Sequence, residues 1–544
     1  MEHEPALAAR RKAMIEAGLW QDKTLLDYMD AVLASAADKP ALVAYRTDTQ
    51  AVTRLSYREF DRLTTRLAAG LALHGVGRGD VVSFQLPNWW EFFALHVACL
   101  KIGAISNPLM IIFRERELRF MLRLAESKVF IVPREFRGFD YQKLAGDLKA
   151  ELPDLKHVFV VDGEGPDSFD RLLGSAGENP TVPAAGRPEP DDIIQLLYTS
   201  GTTGEPKGVM HTSNTMLSNL VAFIDRYRFD RDAVIHMPSP MGHQLGFMYG
   251  LVLPLMVGGT AILQDVFEPA EMARQIREEK ATFTMGATPF LSGLVEYVAS
   301  KGIETPSLKV FVSAGAPIPR ALVGNGRKVL GAAIISGWGM SENGVVTTTK
   351  LDDPEELSTN TDGCALPGME VRVVDAGGKT AAADTEGRLL VRGCSNFVGY
   401  WKRPELANID AEGWFDTGDI ARMDAQGYIR IAGRSKDIII RGGENIPVVE
   451  VEGLLFKHPA VAGVAIVGYP DHRLGEKACA FVSLRDGADF DFSEMVSFLK
   501  GQKMAVQYIP ERLEVVPDLP RTPSGKIQKF KLRELAAAER RAAS

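Results

Sequence analysis

The stretch YTSGTTGEPKG, residues 198 to 208, packs three glycines, four Ser/Thr hydroxyls and one lysine into eleven positions. Glycines let backbone N–H groups close on a ligand, and Ser200, Thr202, Thr203 and Lys207 add donors and a positive charge suited to phosphate oxygens. Polyphosphate is the expected ligand. The spacing is not that of a Walker A loop, because Pro206 precedes Lys207 and Gly208 follows it. Neither Gly75, Gly77 and Gly79 nor Gly337, Gly339 and Gly344 fit the dinucleotide fingerprint. A Ser/Thr/Gly cluster taken alone also describes an ordinary solvated loop, so the reading needs support from elsewhere in the chain.

The elements around the loop agree with a built site. DIIQLLYT (192–199) reads as a buried strand feeding it, and Leu217, Leu220, Val221 and Ile224 mark a helix after GVMHT, capped by Thr212 or Ser213. Helical patterns alternate with short apolar runs over the first 430 or so residues, the mark of α/β architecture. Near residue 370 the texture changes to short β-rich pieces, MEVRVVD, GRLLVRG and GYIRIAGR, which predict a compact β subdomain. Beyond Arg434 a strand and tight turn, a helix, two strands and a final helix predict a small α+β domain. Residues 162–190, rich in Gly, Pro, Asp and Glu, read as a surface excursion, and MEHEPALAARRKAMIEAGLW as an amphipathic surface segment without the apolar centre of a secretory signal.

At 544 residues the chain exceeds what one hydrophobic core serves, so two or more domains are expected. A net charge of -8 without a basic run argues against nucleic acid as partner. Four scattered cysteines, with no C-x-x-C pair, suit a reducing cytoplasm and frame no metal site. Residues 237–264 lack any Asp, Glu, Lys or Arg, but three prolines and five glycines fit buried strand and helix pieces lining a pocket better than a membrane span.

Three further segments, GWGMSENG (337–344), GWFDTGDIARMDAQGYIRIAGRSKDIIIRGGENI (413–446) and PRTPSGKIQK (520–529), stand in the order found in adenylate-forming acyl-CoA synthetases. With the opening loop, they make the chain resemble that family over nearly its whole length, and most of all its bacterial cyclohexanecarboxylate and short- or medium-chain fatty acid ligases. The resemblance implies an α/β fold with a large N-terminal domain, two α/β subdomains plus a small β subdomain, over residues 1–434. A mobile α+β C-terminal domain follows over 435–544, with its hinge near Lys436.

The same resemblance assigns roles. Thr199, Ser200, Gly201, Thr202, Thr203 and Gly204 match the loop that grips ATP phosphates, with Lys207 beside it, and Glu342 matches the carboxylate that helps hold Mg²⁺. Trp338 takes the place of a tyrosine stacked on adenine, so stacking is kept and the phenol O–H is lost. Ser341, Gly339, Ser313, Gly315 and Ala316 frame the nucleotide, Asp419 accepts from the ribose hydroxyls, and Arg434 is its basic neighbour. Lys526 reaches from the C-terminal domain to the reacting carboxylate and α-phosphate, with Glu342 and Thr203 completing the catalytic set. Gly442 and Gly443 border the channel for coenzyme A.

His243, Gln244, Leu245, Val345 and Val346 match the acyl pocket, and Gly339 stands where acetate-specific relatives carry a bulky tryptophan, so a larger acid is expected. Aliphatic lining with no Arg or Lys points to an apolar tail, cyclohexanecarboxylate or a related alicyclic acid first, a linear or aryl acid otherwise. Two other readings stay open: an adenylation protein that loads a carrier protein, and a nucleotide-binding regulator without turnover. Pro520 followed by four residues and Gly525-Lys526 also resembles an acetylation signature, which implies an acetyltransferase and deacetylase as partners. Self-association is left open.

Overall fold

The structure is a computed structural model that describes residues 4–542 except 178–179, 183–185, 200–204, 316–317, 442–443, 472 and 523–524; the side chains of 4–8, 436, 444–445 and 538–542 are also outside the description. Among the described residues two large sheets dominate. One has nine strands with a parallel centre, Ala333–Met340, Val310–Ala314, Phe283–Gly286, Val234–Met237, Thr260–Gln264 and Pro40–Tyr45 in that order, and antiparallel strands at both ends. The other has seven strands, and the hairpin Ile193–Thr199 with Lys207–Thr212 lies near its edge beside Gly399–Tyr400. The fold is α/β, as expected.

Helix Trp90–Lys101 touches strands of both sheets and is buried on every side, which is why WEFFALHVACLK shows no polar face. The run 237–264 is a strand, a helical stretch from Gln244 to Val257 and a second strand. Its middle, Phe247–Val252, is π-helical, a widened turn that makes room for Pro254, which has no N–H and whose ring crowds the carbonyl four residues back. Among the described residues no helix is long and apolar enough to cross a membrane. All four cysteines are free thiols.

The β subdomain is a four-stranded antiparallel sheet of Met369–Val374, Gly387–Gly393, Phe415–Met423 and Ile429–Arg434. The small C-terminal domain builds its own five-stranded sheet, with helices Val448–Leu455, Phe492–Gly501 and Lys529–Ala542. A parallel strand, Arg512–Val515, was not anticipated there, because its alternation RLEV is too short and too polar to stand out.

One surface expectation needs correction. Within 162–190, helix Phe169–Gly174 buries Phe169 and Leu172 in the main core, so that part of the excursion is structural. The N-terminal segment forms helix Glu4–Glu16 at the surface as expected, with Lys12 and Glu16 exposed and Arg10, Met14 and Ile15 partly buried on its inner side.

Candidate functional site

The loop expected to grip phosphate joins two antiparallel strands in register Thr199 to Lys207; Ser200, Gly201, Thr202, Thr203 and Gly204 lie outside the described residues. Ala316, Gly442 and Gly443 do too, as does the Lys436 side chain. After the hairpin, the Thr212 hydroxyl accepts from the Thr215 N–H and starts helix Ser213–Tyr227, the cap read from sequence.

Lys207 leaves the second strand of the hairpin with its ammonium 4.8 Å from the centre of the Tyr400 ring, a cation–π contact. The Tyr400 hydroxyl donates to Glu342 Oε1 at 2.7 Å, and burial first, then this carboxylate, pushes the phenol pKa up. Glu342 sits in the turn between strands Ala333–Met340 and Gly344–Thr348, so it is a hairpin acid and not a helix N-terminal one. It is buried, and no group of three His, Cys, Asp or Glu forms a metal cage among the described residues. One buried carboxylate is a donor that Mg²⁺ accepts when phosphate oxygens and water complete its shell. His211, buried and held neutral with its pKa lowered to about 4 by desolvation, donates from Nε2 to the Ser341 carbonyl at 2.7 Å and so braces the same turn.

Trp338 donates its indole N–H to Asp419 Oδ2 at 3.0 Å, and Arg434 Nε meets Asp419 Oδ1 at 2.6 Å, its antiparallel register partner. The tryptophan thus supplies a donor that the loss of a phenol had seemed to remove. Burial raises the Asp419 pKa, while Arg434, the indole N–H and Lys526 each pull it down. Ser313, next to last in the central strand Val310–Ala314, has its hydroxyl buried and unpartnered, and Gly315 follows the strand with φ +85. Gln244 is 2 % exposed with both amide atoms unpartnered, next to Leu245 and the half-buried His243. Each of these buried polar groups, without a partner in the protein, could serve a polar ligand.

Lys526 follows a turn in which Gly525 N–H donates to Thr522 O at 2.8 Å and Lys526 N–H to Thr522 Oγ1 at 3.0 Å. Gly525 has φ +85, and a Cβ there would lie 3.1 Å from Ala287 Cβ and 3.2 Å from Pro289 Cδ. The turn is therefore pressed into the N-terminal domain. Lys526 Cε lies 3.9 Å from the point where Gly315 would carry a Cβ, and its charge lowers the pKa of both Asp419 and His243. His243 accepts the Leu245 N–H on Nδ1 and stays neutral, its pKa lowered to about 3 by burial first and Lys526 second. Lys526, Gly315, Asp419 and His243, far apart in the chain, share one locale.

Gly339 has a different reason from the one expected. A Cβ at 339 would meet Gly344 O at 2.0 Å and Val345 Cα at 2.6 Å, so glycine is imposed by strand backbone and not by room left for an acyl group. The hairpin carries a bulge there, Trp338 facing Thr347 and Gly339 facing Val345, with Val346 the extra residue. Sequence reasoning also missed what holds this hairpin: Asn219 Nδ2 donates to Val345 O at 2.6 Å and Asn343 O at 3.1 Å, while Tyr249 OH donates to Asn219 Oδ1 and accepts the Val345 N–H. Both are buried polar side chains within apolar helices, a signal that was present but unused.

This geometry has counterparts among known proteins. The AMP-binding enzyme model matches residues 29–401, and the AMP-binding enzyme C-terminal domain model matches 450–526. The chain belongs to the AMP-binding enzyme family. It is an AMP-forming acid ligase of that family. It is 36% identical to the medium-chain fatty-acid–CoA ligase of Escherichia coli over 96% of this chain and 92% of the relative. To the 2,3-dihydroxybenzoate-AMP ligase of Bacillus subtilis it is 33% identical, over 95% and 94%. The anthranilate CoA ligase AuaEII, solved with anthranoyl-AMP, superposes with a TM-score of 0.87 at 26% identity, covering 97% of this chain and 99% of that one.

Proposed function

We propose that this enzyme joins an apolar, medium-sized carboxylic acid to coenzyme A, consuming ATP and releasing AMP and pyrophosphate. The observation that carries the reading is the placement of Lys526, on a turn pressed against Ala287 and Pro289, with its charge felt at both Asp419 and His243. In the first half-reaction an oxygen of the acid attacks the α-phosphorus and the bond to the bridging oxygen breaks, so pyrophosphate leaves with the electron pair. The Lys526 ammonium offsets charge gathering on the transferred group, an interaction strengthened by partial exclusion of water. Asp419, oriented by Trp338 and Arg434, holds the ribose through its remaining lone pairs, and Gly315 with Ser313 borders the adenylate. Lys207 and Glu342 serve the phosphates, with Mg²⁺ supplying charge neutralisation there when bound.

In the second half-reaction the sulfur of coenzyme A attacks the acyl carbon and the bond to AMP oxygen breaks. No protein nucleophile is needed. The sequence resemblance assigns Gly442 and Gly443 to this acceptor, and movement of residues 435–544 about Lys436 would exchange the two arrangements. Acetylation of Lys526 would abolish its charge and with it the first half-reaction.

Leu245, Val345 and Val346, each buried, line the acyl side, with no cation among them to welcome a second carboxylate. An alicyclic ring and a linear chain both suit this lining, and the likeness to a medium-chain ligase supports the same size range. A pyrophosphate-release screen across acetate, hexanoate, octanoate, cyclohexanecarboxylate, benzoate and malonate, with coenzyme A present, is expected to peak at hexanoate, octanoate or cyclohexanecarboxylate. A peak at malonate or acetate would overturn the assignment, and transfer to a phosphopantetheinyl carrier protein in place of coenzyme A would move it to the loading reading.

Docking of the tail turn is tested by Gly525→Val. A side chain at φ +85 costs about 1–2 kcal/mol and must also displace Ala287 or Pro289. Adenylation is expected to fall roughly tenfold or more, while thioester formation from supplied acyl-AMP changes little. Equal losses in both half-reactions would contradict it.

A further inference from the structure

The N-terminal helix lies outside both family matches, the first of which begins at residue 29, yet it inserts a charge beside the site. Arg10 donates from Nη2 to Asn396 O at 2.6 Å, Gly393 O at 3.2 Å and Cys394 O at 3.4 Å, and from Nη1 to Phe397 O at 3.3 Å. Four carbonyls from one short loop converge on a single guanidinium. Their aligned dipoles repel one another unless a multi-donor cation stands among them, a task suited to the planar fork of arginine. Burial lowers the Arg10 pKa to about 10, with Asp191 opposing, so it remains charged at neutral pH. Trp20 adds its indole N–H to Cys394 O at 2.9 Å, and Arg11 pairs with Asp22 and Asp191, fixing the helix that presents Arg10.

The loop so held leads directly to the phosphate side of the site. Phe397 N–H donates to the Glu342 carbonyl at 2.7 Å, Val398 N–H to Met210 O at 3.0 Å and Trp401 N–H to Gly208 O at 2.8 Å. Tyr400, carried between them, binds Glu342 and stacks under Lys207. Ser395 also donates to Asn343 O at 2.8 Å. Residues 395–401 thus tie the Glu342 turn to the strand bearing Lys207, alongside the direct bond from His211 to the Ser341 carbonyl.

We propose that Arg10 is a positioning residue: it sets loop 393–401, and through Tyr400 and Phe397 it orients Glu342 and Lys207 toward nucleotide phosphate. The proposal rests on the reading of those two residues as the phosphate side of the site. Its first readout needs no catalysis. In the nucleotide-free full-length enzyme, Arg10→Met is expected to speed hydrogen exchange at the Phe397 and Val398 amides roughly tenfold, the scale of losing charge-assisted hydrogen bonds. Its affinity for Mg-ATP, read by calorimetric titration without acid or coenzyme A, is expected to fall by about the same factor. Arg10→Lys, which keeps the charge and three donors, should recover most of both.

Unchanged exchange at Phe397 and Val398 in a folded Arg10→Met would overturn the proposal, as would faster exchange with full Mg-ATP affinity, since the contact would then be structural only. Should Arg10→Met fail to fold, Trp20→Phe, which removes one hydrogen bond to the same loop, is expected to show both effects in weaker form, and absence of either refutes the proposal. An enzyme that releases no pyrophosphate with any acid would refute the ligase reading and leave the exchange result standing on its own.

Discussion

Lys526→Ala is expected to slow acyl-adenylate formation by roughly 10²- to 10³-fold, the effect of deleting one preorganised charge contact to a transition state. Thioester formation from supplied acyl-AMP and coenzyme A should stay within a few-fold of the unaltered enzyme. The asymmetry follows from geometry. Lys526 is held beside Gly315 by a turn that depends on Gly525 having φ +85 and on its contact with Ala287 and Pro289, so its charge reaches the nucleotide side only when the small domain is docked as it is here. Because Lys526 also lowers the pKa of Asp419 and His243, its removal should let both rise, and the pH profile of adenylation should shift upward with it. Isotope exchange between pyrophosphate and ATP isolates the first half-reaction, and a coupled thiol assay isolates the second. Equal loss in both would remove Lys526 from the role assigned to it.

Acid should unfold this protein steeply, well above the pH at which carboxylates protonate. His96, His211 and His236 are fully buried and neutral, their pKa values lowered by desolvation to about 3, 4 and 4. A group with a depressed folded pKa binds its proton more readily in the unfolded chain, so its contribution to stability is complete above the unfolded value near 6.5 and is lost as pH falls toward 4. Glu91 works the other way, since burial raises its pKa to about 8 and the folded state keeps its proton where the unfolded chain would release it. With His243, lowered to about 3 as well, the unfolded state near pH 5.5 therefore takes up nearly three more protons than the folded one, a slope of roughly 3.5 kcal/mol per pH unit. Urea unfolding at pH 7.5, 6.5 and 5.5 measures it. His236→Gln, which can still bond Gln275, should flatten the slope by about one proton. A flat dependence across this range would contradict neutral burial of these rings.

Much of the local structure was legible in the sequence because the forces that decide it act over a few residues. The strand Ile193–Thr199, the Thr212 cap and the strand pairs of the β subdomain follow from alternation, hydroxyl placement and Gly/Asp turns. The roles given to Glu342, Asp419, Arg434 and Lys526 came instead from the resemblance of their segments, in order along the chain, to a known family. Gly339 misled for an instructive reason: glycine can mean open space or the absence of it, and a Cβ 2.0 Å from Gly344 O shows which applies.

Partners distant in the chain were not legible. That Trp338 would turn its N–H to Asp419, that Asn219 and Tyr249 would hold Val345, or that a helix before residue 20 would place Arg10 among four carbonyls depends on how layers pack, and no local pattern encodes it. The amino-acid sequence by itself determined the elements, the turns and the chemical groups available for acid activation. Only the tertiary structure decided which of those groups meet, because hydrogen bonds and charges act over ångströms in space, and the core that brings residues 10, 342, 419 and 526 into reach of their partners forms between sheets built from distant parts of the chain.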